Sequence, residues 1–169
     1  VKGIEMLRRH NIITFASLIF GFPGETAETV GETIDFINGA KPDYYRIQLW
    51  YCEPGTPIAF QKQKYGIKGE GFVWSHDTMD SLEAMDHIER AFLTIKESIW
   101  LPQWSFDFWT IPYLFGKGVS QPQFKELMAW AQSLLALEIA AVSGREKKSL
   151  QQAYIQSLID RIKSWNKAT

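Results

Sequence analysis

Hydrophobic positions near the start of the chain change period three times. Ile4, Leu7 and Arg8 recur at helical spacing, which predicts a helix over 2–9 ending near His10-Asn11, where Asn is a reasonable C-cap. Residues 12–20 (Ile12-Ile13-Thr14-Phe15-Ala16-Ser17-Leu18-Ile19-Phe20) are then almost continuously apolar and rich in β-branched and aromatic residues. That is the pattern of a strand buried on both faces. Residues 26–38 return to helical spacing, with Val30, Ile34 and Ile37 as the inward stripe. Thr26 is the N-cap candidate, Glu28 complements the dipole in the first turn, and Asn38-Gly39 supplies the stop. After the connector Lys41-Pro42-Asp43, residues 44–52 read as a second strand. Strand–helix–strand order predicts a right-handed unit with parallel strands. Alternation along the second strand would send Gln48, Trp50 and Cys52 one way and Leu49 and Tyr51 the other.

The pattern changes after Glu53-Pro54-Gly55-Thr56-Pro57. Gly66, Gly69 and Gly71 mark 58–77 as loop with short elements. From residue 78, Met79, Leu82, Met85, Ile88, Phe92, Ile95 and Ile99 predict one long amphipathic helix ending before Pro102, with Ser75 or Asp77 as its cap. A short helix around 106–116 is limited by Pro112. Ser120, with Pro122 in the first turn, opens a helix over 121–141, and Ser143-Gly144 breaks it. Leu150, Tyr154, Leu158, Ile162 and Trp165 stripe a last helix over 146–165. The expected organisation is an α/β part over 1–57 followed by a mostly α-helical region over 58–169.

Composition narrows the function classes. The 169 residues are 46% hydrophobic, with seven Trp, six Tyr and eleven Phe, which calls for a bulky core, an aromatic-lined cavity or a surface built to be covered. A formal charge of −1 gives no footprint for nucleic acid or an anionic membrane. No apolar run reaches the length of a membrane span and no signal peptide is visible. Cys52 is the only cysteine, so the chain has no thiol cluster for zinc or iron–sulfur and no intrachain disulfide. This fits a cytoplasmic compartment. The three histidines lack an i, i+4 partner, against a metal site made by this chain alone. The chain opens without Met inside what reads as the last turns of a helix, and the expectation is a piece of a longer protein.

The chemistry-bearing candidate is the turn Gly21-Phe22-Pro23-Gly24-Glu25-Thr26 at the carboxyl end of the first strand, where α/β folds place their ligands. Gly21 and Gly24 allow close backbone approach, Pro23 stiffens the turn, and the following helix offers N–H groups. The plain alternative is an ordinary tight βα loop. It is not a phosphate loop: no Lys follows Gly24, and Glu25 would repel an anion. The 53–57 turn would share its rim. Gln48 among aromatics either lines a pocket for a flat or sugar-bearing ligand or is hydrogen-bonded inside a helix–sheet interface. His76, within Trp74-Ser75-His76-Asp77-Thr78-Met79-Asp80, is either a general base or a turn residue before a capped helix. His87, four after Glu83, reads as a helix-face pair. The stretch Trp100, Trp104, Phe106, Phe108, Trp109, Tyr113 and Phe115 is core packing, a cofactor wall or a docking surface. Arg145, Lys147 and Lys148 form a solvated helix start.

A strand ending Ser17-Leu18-Ile19-Phe20-Gly21-Phe22-Pro23-Gly24-Glu25-Thr26, a helix, and a strand ending Glu53-Pro54-Gly55-Thr56-Pro57 resemble the radical S-adenosylmethionine (SAM) enzymes. The likeness is greatest to the branch with an N-terminal cobalamin-binding domain and to coproporphyrinogen oxidase-type relatives. It implies the fifth and sixth strands of a partial (βα)6 barrel. Residues 74–81 and the aromatic C-terminal tail are similar to the phosphinothricin-type P-methyltransferase subgroup. By that resemblance Ile19, Gly21, Phe22, Pro23 and Gly24 would pack on the SAM adenine and ribose, and Ser17 would face the ribose. Gln48 and Trp50 would border SAM, while Tyr51, Pro54, Gly55, Thr56 and His76 would border substrate.

The C-x3-C-x2-C loop that holds the [4Fe–4S] cluster in relatives is absent. The resemblance therefore implies a C-terminal piece with no catalytic residue of its own, inactive alone and binding no cofactor by itself. Its partners would be the missing N-terminal part and a small-molecule substrate. The parent would use SAM, the cluster and, in the cobalamin branch, cobalamin, to transfer a methyl group. A non-catalytic helical binding module is the competing class, and a hydrolase using His76 lacks a nucleophile motif. Strand edges separate the first two. A piece should expose the flank of strand 12–20, a route to a homodimer, whereas a complete module should cover both edges.

Overall fold

The computed structural model describes residues 1–101, 110–140 and 144–165. It divides into two compact units, Val1–Gln103 and Trp104–Thr169.

The first unit opens with α1 (Lys2–Arg9), which ends where Asn11 takes a left-handed φ of 56°. Arg8 reaches the carbonyls of Ala40 and Lys41 and so ties this helix to the end of the next one. Strand β1 (Phe15–Phe20) starts three residues later than its apolar run. The run is shortened by a clip. The Asp43 carboxylate accepts the Thr14 N–H and hydroxyl at 3.0 Å each, and the Asp43 N–H donates to Thr14 Oγ1 at 3.0 Å. Helix α2 (Ala27–Ala40) begins at Thr26, whose side chain accepts from the Thr29 N–H while Thr29 Oγ1 accepts from the Thr26 N–H. The helix passes Asn38-Gly39 and stops at Lys41, held left-handed at φ 51°. Val30, Ile34 and Ile37 are buried as the spacing predicts.

Strand β2 (Tyr44–Leu49) lies parallel to β1 in the register Phe15↔Tyr44 to Phe20↔Leu49. A third parallel strand, β6 (Ile99–Trp100), adds to the far side of β2, giving the order β1-β2-β6. This corrects the long helix read over 78–101. Helix α4 (Ser81–Thr94) ends at Thr94, Ile95 turns extended and stays buried, and Ile99 enters the sheet by donating its N–H to Asp43 O at 3.1 Å. Ile95 and Ile99 are four apart, and a β-branched pair at that spacing serves a helix stripe or a turn into a strand equally well.

Between β2 and α4 lie a 3-10 turn (Ala59–Gln61), α3 (Lys62–Tyr65) and an antiparallel sheet of β3 (Lys68–Glu70), β4 (Val73–His76) and β5 (Met79–Asp80). Asp80, not Ser75 or Asp77, caps α4, accepting from the Leu82 and Glu83 N–H groups while Glu83 answers the Asp80 N–H.

Helices α2 and α4 sit against one face of the parallel sheet. Ala16, Leu18 and Phe20 from β1 join Tyr45, Ile47 and Leu49 from β2 in a core with Val30, Ile34, Ile37, Ala84, Ala91 and Ile95. On the opposite face Ser17 is exposed and Ile19 is 52% exposed. Strand β1 is thus covered on one face, where the apolar run had read as buried on both. The architecture is mixed α/β, followed by a helical region.

The second unit holds α5 (Thr110–Gly116), α6 (Gln121–Ile139) and α7 (Gly144–Trp165). Ser120 caps α6 with Gln123 as its reciprocal partner. α6 and α7 are joined by the Trp130–Tyr154 edge contact at 5.5 Å and the Arg161–Glu126 pair at 2.6 Å. Trp104, Phe106, Phe108, Trp109, Ser143 and the Arg145 side chain, singled out above, lie outside the described residues. No described helix is long and apolar enough to cross a membrane.

Candidate functional site

The turn leaving β1 is held from within. Phe22 O accepts the Glu25 N–H at 2.9 Å, and Gly24 takes φ 95°. With Pro23 second and glycine third, this is the chemistry of a type II turn. Glu25 folds back so that Oε2 accepts the Gly21 N–H at 2.6 Å. Burial raises the Glu25 carboxyl above its ordinary value, outweighing the Gly21 and Phe22 N–H groups and the nearby His87 and His76 that lower it. Thr26 meanwhile caps α2. The turn's Gly21 N–H and the helix's Thr29 N–H are therefore spent inside the protein.

The second support comes from β4. Gly21 has φ 85°, and a Cβ built there would overlap the Trp74 indole and meet Ala84 Cβ at 3.0 Å. Trp74 Nε1 donates to Trp50 O at 2.8 Å. His76 Nε2 lies 3.1 Å from Gly21 O. A carbonyl only accepts, so Nε2 carries the proton. Nδ1 is then the acceptor for the Thr78 hydroxyl at 3.1 Å and the Thr78 N–H at 3.4 Å. The Trp74 and His76 rings stack at 5.3 Å and 6°. Trp50 packs edge-on against Trp74 at 5.1 Å and Phe22 at 5.8 Å.

Gly21, Phe22, Trp50 and His76 are thus one cluster. Gly21, Pro23, Trp50 and His76 are buried, and Phe22 and Gly24 are exposed. Ser17, Ile19 and Gln48 share the sheet face away from the helices, with Ile19 opposite Gln48 in register. Arg46 Nε donates to Ser17 Oγ at 3.2 Å on that face. Regular alternation fails after Leu49: the strand ends there, and Trp50 swings into the core while Gln48 does not. Tyr51 is exposed and meets Phe72 edge-on at 4.8 Å. Pro54 and Gly55 are exposed, and Thr56 closes its own turn by donating to Glu53 O at 2.8 Å. Cys52 is buried and bridged through its backbone to Gly71, and burial pushes its thiol up. Among the described residues no group of three His, Cys, Asp or Glu could hold a metal ion. The sequence reading missed Trp74 as the floor under Gly21. The only signal was a glycine at a strand end with no turn of its own to explain it.

Comparison with known proteins places the chain coarsely. Over 66 residues it is 38% identical to the ribosomal protein uS12 methylthiotransferase RimO of Clostridium perfringens, in each of three strains. The chain is related to the radical SAM enzymes through this partial similarity. The matched stretch is 38% of this chain, and it spans only 15% of the length of those relatives. No family model matches. No solved structure matches.

Proposed function

We propose that this chain is the part of a radical SAM enzyme that forms the SAM-facing end of its parallel sheet. One observation carries the reading: helices α2 and α4 cover one sheet face, while Ser17 and Ile19 are left open on the other, right up to the Gly21 turn. Ile19 and Phe22 offer apolar surface for the adenine, and Ser17 and Gln48 offer polar atoms for the ribose. SAM, when bound, would supply the reactive carbon or sulfur chemistry. This chain's residues would orient it and exclude water. Tyr51, Pro54, Gly55 and Thr56 would border the substrate.

The same residues do not fit an iron–sulfur cluster. Cys52 is the sole thiol, buried and backbone-bridged. Cluster ligands would come from sequence outside the chain. Strand β1 pairs only with β2 among the described residues, and its other edge is where upstream sequence would add. That edge speaks against the self-contained helical module. A cobalamin-dependent methyltransferase is the finer version of the reading. Its P-methyltransferase form rests on residues 74–81 and the aromatic C-terminal tail, and within 74–81 framework tasks already account for Trp74, His76, Thr78 and Asp80. The methylthiotransferase relative favours transfer of a methylthio group. Reading the gene in frame upstream of Val1 tests the proposal. A C-x3-C-x2-C motif is expected, and a start codon with no such motif between it and Val1 overturns it.

A further inference from the structure

We infer that β4 is a crossbar that sets the ligand rim, with His76 as its positioning residue. The inference rests on the proposed SAM role of the rim for its functional consequence, and on geometry for the rest. Two parallel strands end at the rim, and one side chain of β4 holds each. Trp74 Nε1 donates to Trp50 O just past β2, and His76 Nε2 donates to Gly21 O just past β1. The two residues are two apart, so their side chains leave β4 on the same face and stack at 5.3 Å. The backbone bridge from Cys52 to Gly71 fastens the hairpin to the same edge.

The Gly21 peptide is gripped from both sides: Glu25 takes the N–H at its nitrogen, and His76 donates to its carbonyl. Gly21 lies in the left-handed region, and the direction of its carbonyl fixes where Phe22 and the type II turn point. Thr78 holds the ring in the tautomer that can donate. In this inference Glu25, His76 and Thr78 need no ligand contact of their own. They act by fixing the backbone that would.

Three variants of the full chain test this. His76→Phe keeps a ring to stack on Trp74 and removes both nitrogens. His76→Gln restores an N–H donor. Thr78→Val removes only the hydroxyl that fixes the tautomer. The first reading is amide hydrogen exchange at Gly21 by NMR, expected at least tenfold faster in His76→Phe and near wild type in His76→Gln, with both variants folded by far-UV circular dichroism. The second is SAM titrated by calorimetry, with Kd expected at least tenfold weaker in His76→Phe, within threefold in His76→Gln, and about threefold weaker in Thr78→Val. A folded His76→Phe with wild-type exchange and wild-type Kd overturns the inference. Should His76→Phe not fold, Thr78→Val decides: wild-type exchange and Kd there also overturn it. A wild-type chain that binds no SAM matches a piece that binds no cofactor by itself, and the exchange reading then decides the crossbar alone: wild-type exchange in a folded His76→Phe overturns it.

Discussion

Replacing Gly21 by Ala tests whether the rim depends on the indole beneath it. Two costs are separable. The first is backbone: φ of 85° is left-handed, which costs an L-residue about 1–2 kcal/mol. The second is crowding: the new Cβ would overlap the Trp74 ring and press Ala84 Cβ at 3.0 Å, and overpacking of this kind costs about 1–3 kcal/mol. The stiffer unfolded chain returns about 0.4–1 kcal/mol. The net expectation is a loss of about 1.5–4 kcal/mol. Gly24→Ala is the internal control. Its φ is 95°, but the nearest atom to its Cβ is Tyr65 Cε1 at 4.0 Å, so it bears the backbone cost alone, a net of about 1 kcal/mol.

Urea unfolding of both variants, followed by tryptophan fluorescence and far-UV circular dichroism, gives the comparison, with slopes checked for constancy. The Gly21 variant should be the less stable by about 1–3 kcal/mol, the crowding cost alone. Shrinking Trp74 to Leu should then recover about 1 kcal/mol or more of that difference in a double-mutant cycle. Equal losses at Gly21 and Gly24, with no coupling to position 74, would refute the argument that the indole floors the turn.

Two further outcomes follow from the same structure. A carboxyl raised in the fold, as Glu25 is, favours the native state below the ordinary carboxyl pKa, and that contribution is lost as pH rises through the raised value. Glu25→Gln keeps an acceptor for the Gly21 N–H, so it should exceed wild type in stability at pH 7 by less than about 1 kcal/mol, since the site is only half-buried. The gap should close near pH 4; urea midpoints with the same gap at both pH values would contradict it. Tyr45 is fully buried, and its hydroxyl has no hydrogen-bond partner among the described residues. Tyr45→Phe should therefore be neutral or stabilising by up to about 1 kcal/mol, and a loss beyond about 1 kcal/mol in thermal unfolding would show an unseen partner.

Local signals made much of this fold legible. Thr26 and Ser120 announced their helices because a cap needs only the next three residues. The stripe Val30, Ile34, Ile37 was readable because an amphipathic helix carries its own period. What escaped was non-local. Strand β6 is two residues long and exists only because Asp43 and Tyr45 offer it carbonyls across the chain. Gln48 follows the regular alternation of β2, but the inward swing of Trp50 just past the strand goes with Trp74, 24 residues later, which donates to its carbonyl. His76 showed two readings in sequence because nothing local says that the Gly21 carbonyl, 55 residues earlier, lies within hydrogen-bond reach of its Nε2. Site residues were therefore legible as a neighbourhood, the two strand ends, and their support was not.

The inward use of polar groups also decides which ligands suit the rim. A phosphate-binding turn leaves several N–H groups free at a helix N-terminus. Here Glu25 takes the Gly21 N–H and Thr26 takes one at the start of α2. The charge nearest the turn is the Glu25 carboxylate, which repels an anion. Outward on this face lie Ile19 and Phe22, each about half exposed, with Ser17 beside them accepting from Arg46 Nε. The rim therefore suits a flat ring resting on Ile19 and Phe22, and differs from a phosphate loop in that the Gly21 and Thr29 N–H groups are already taken.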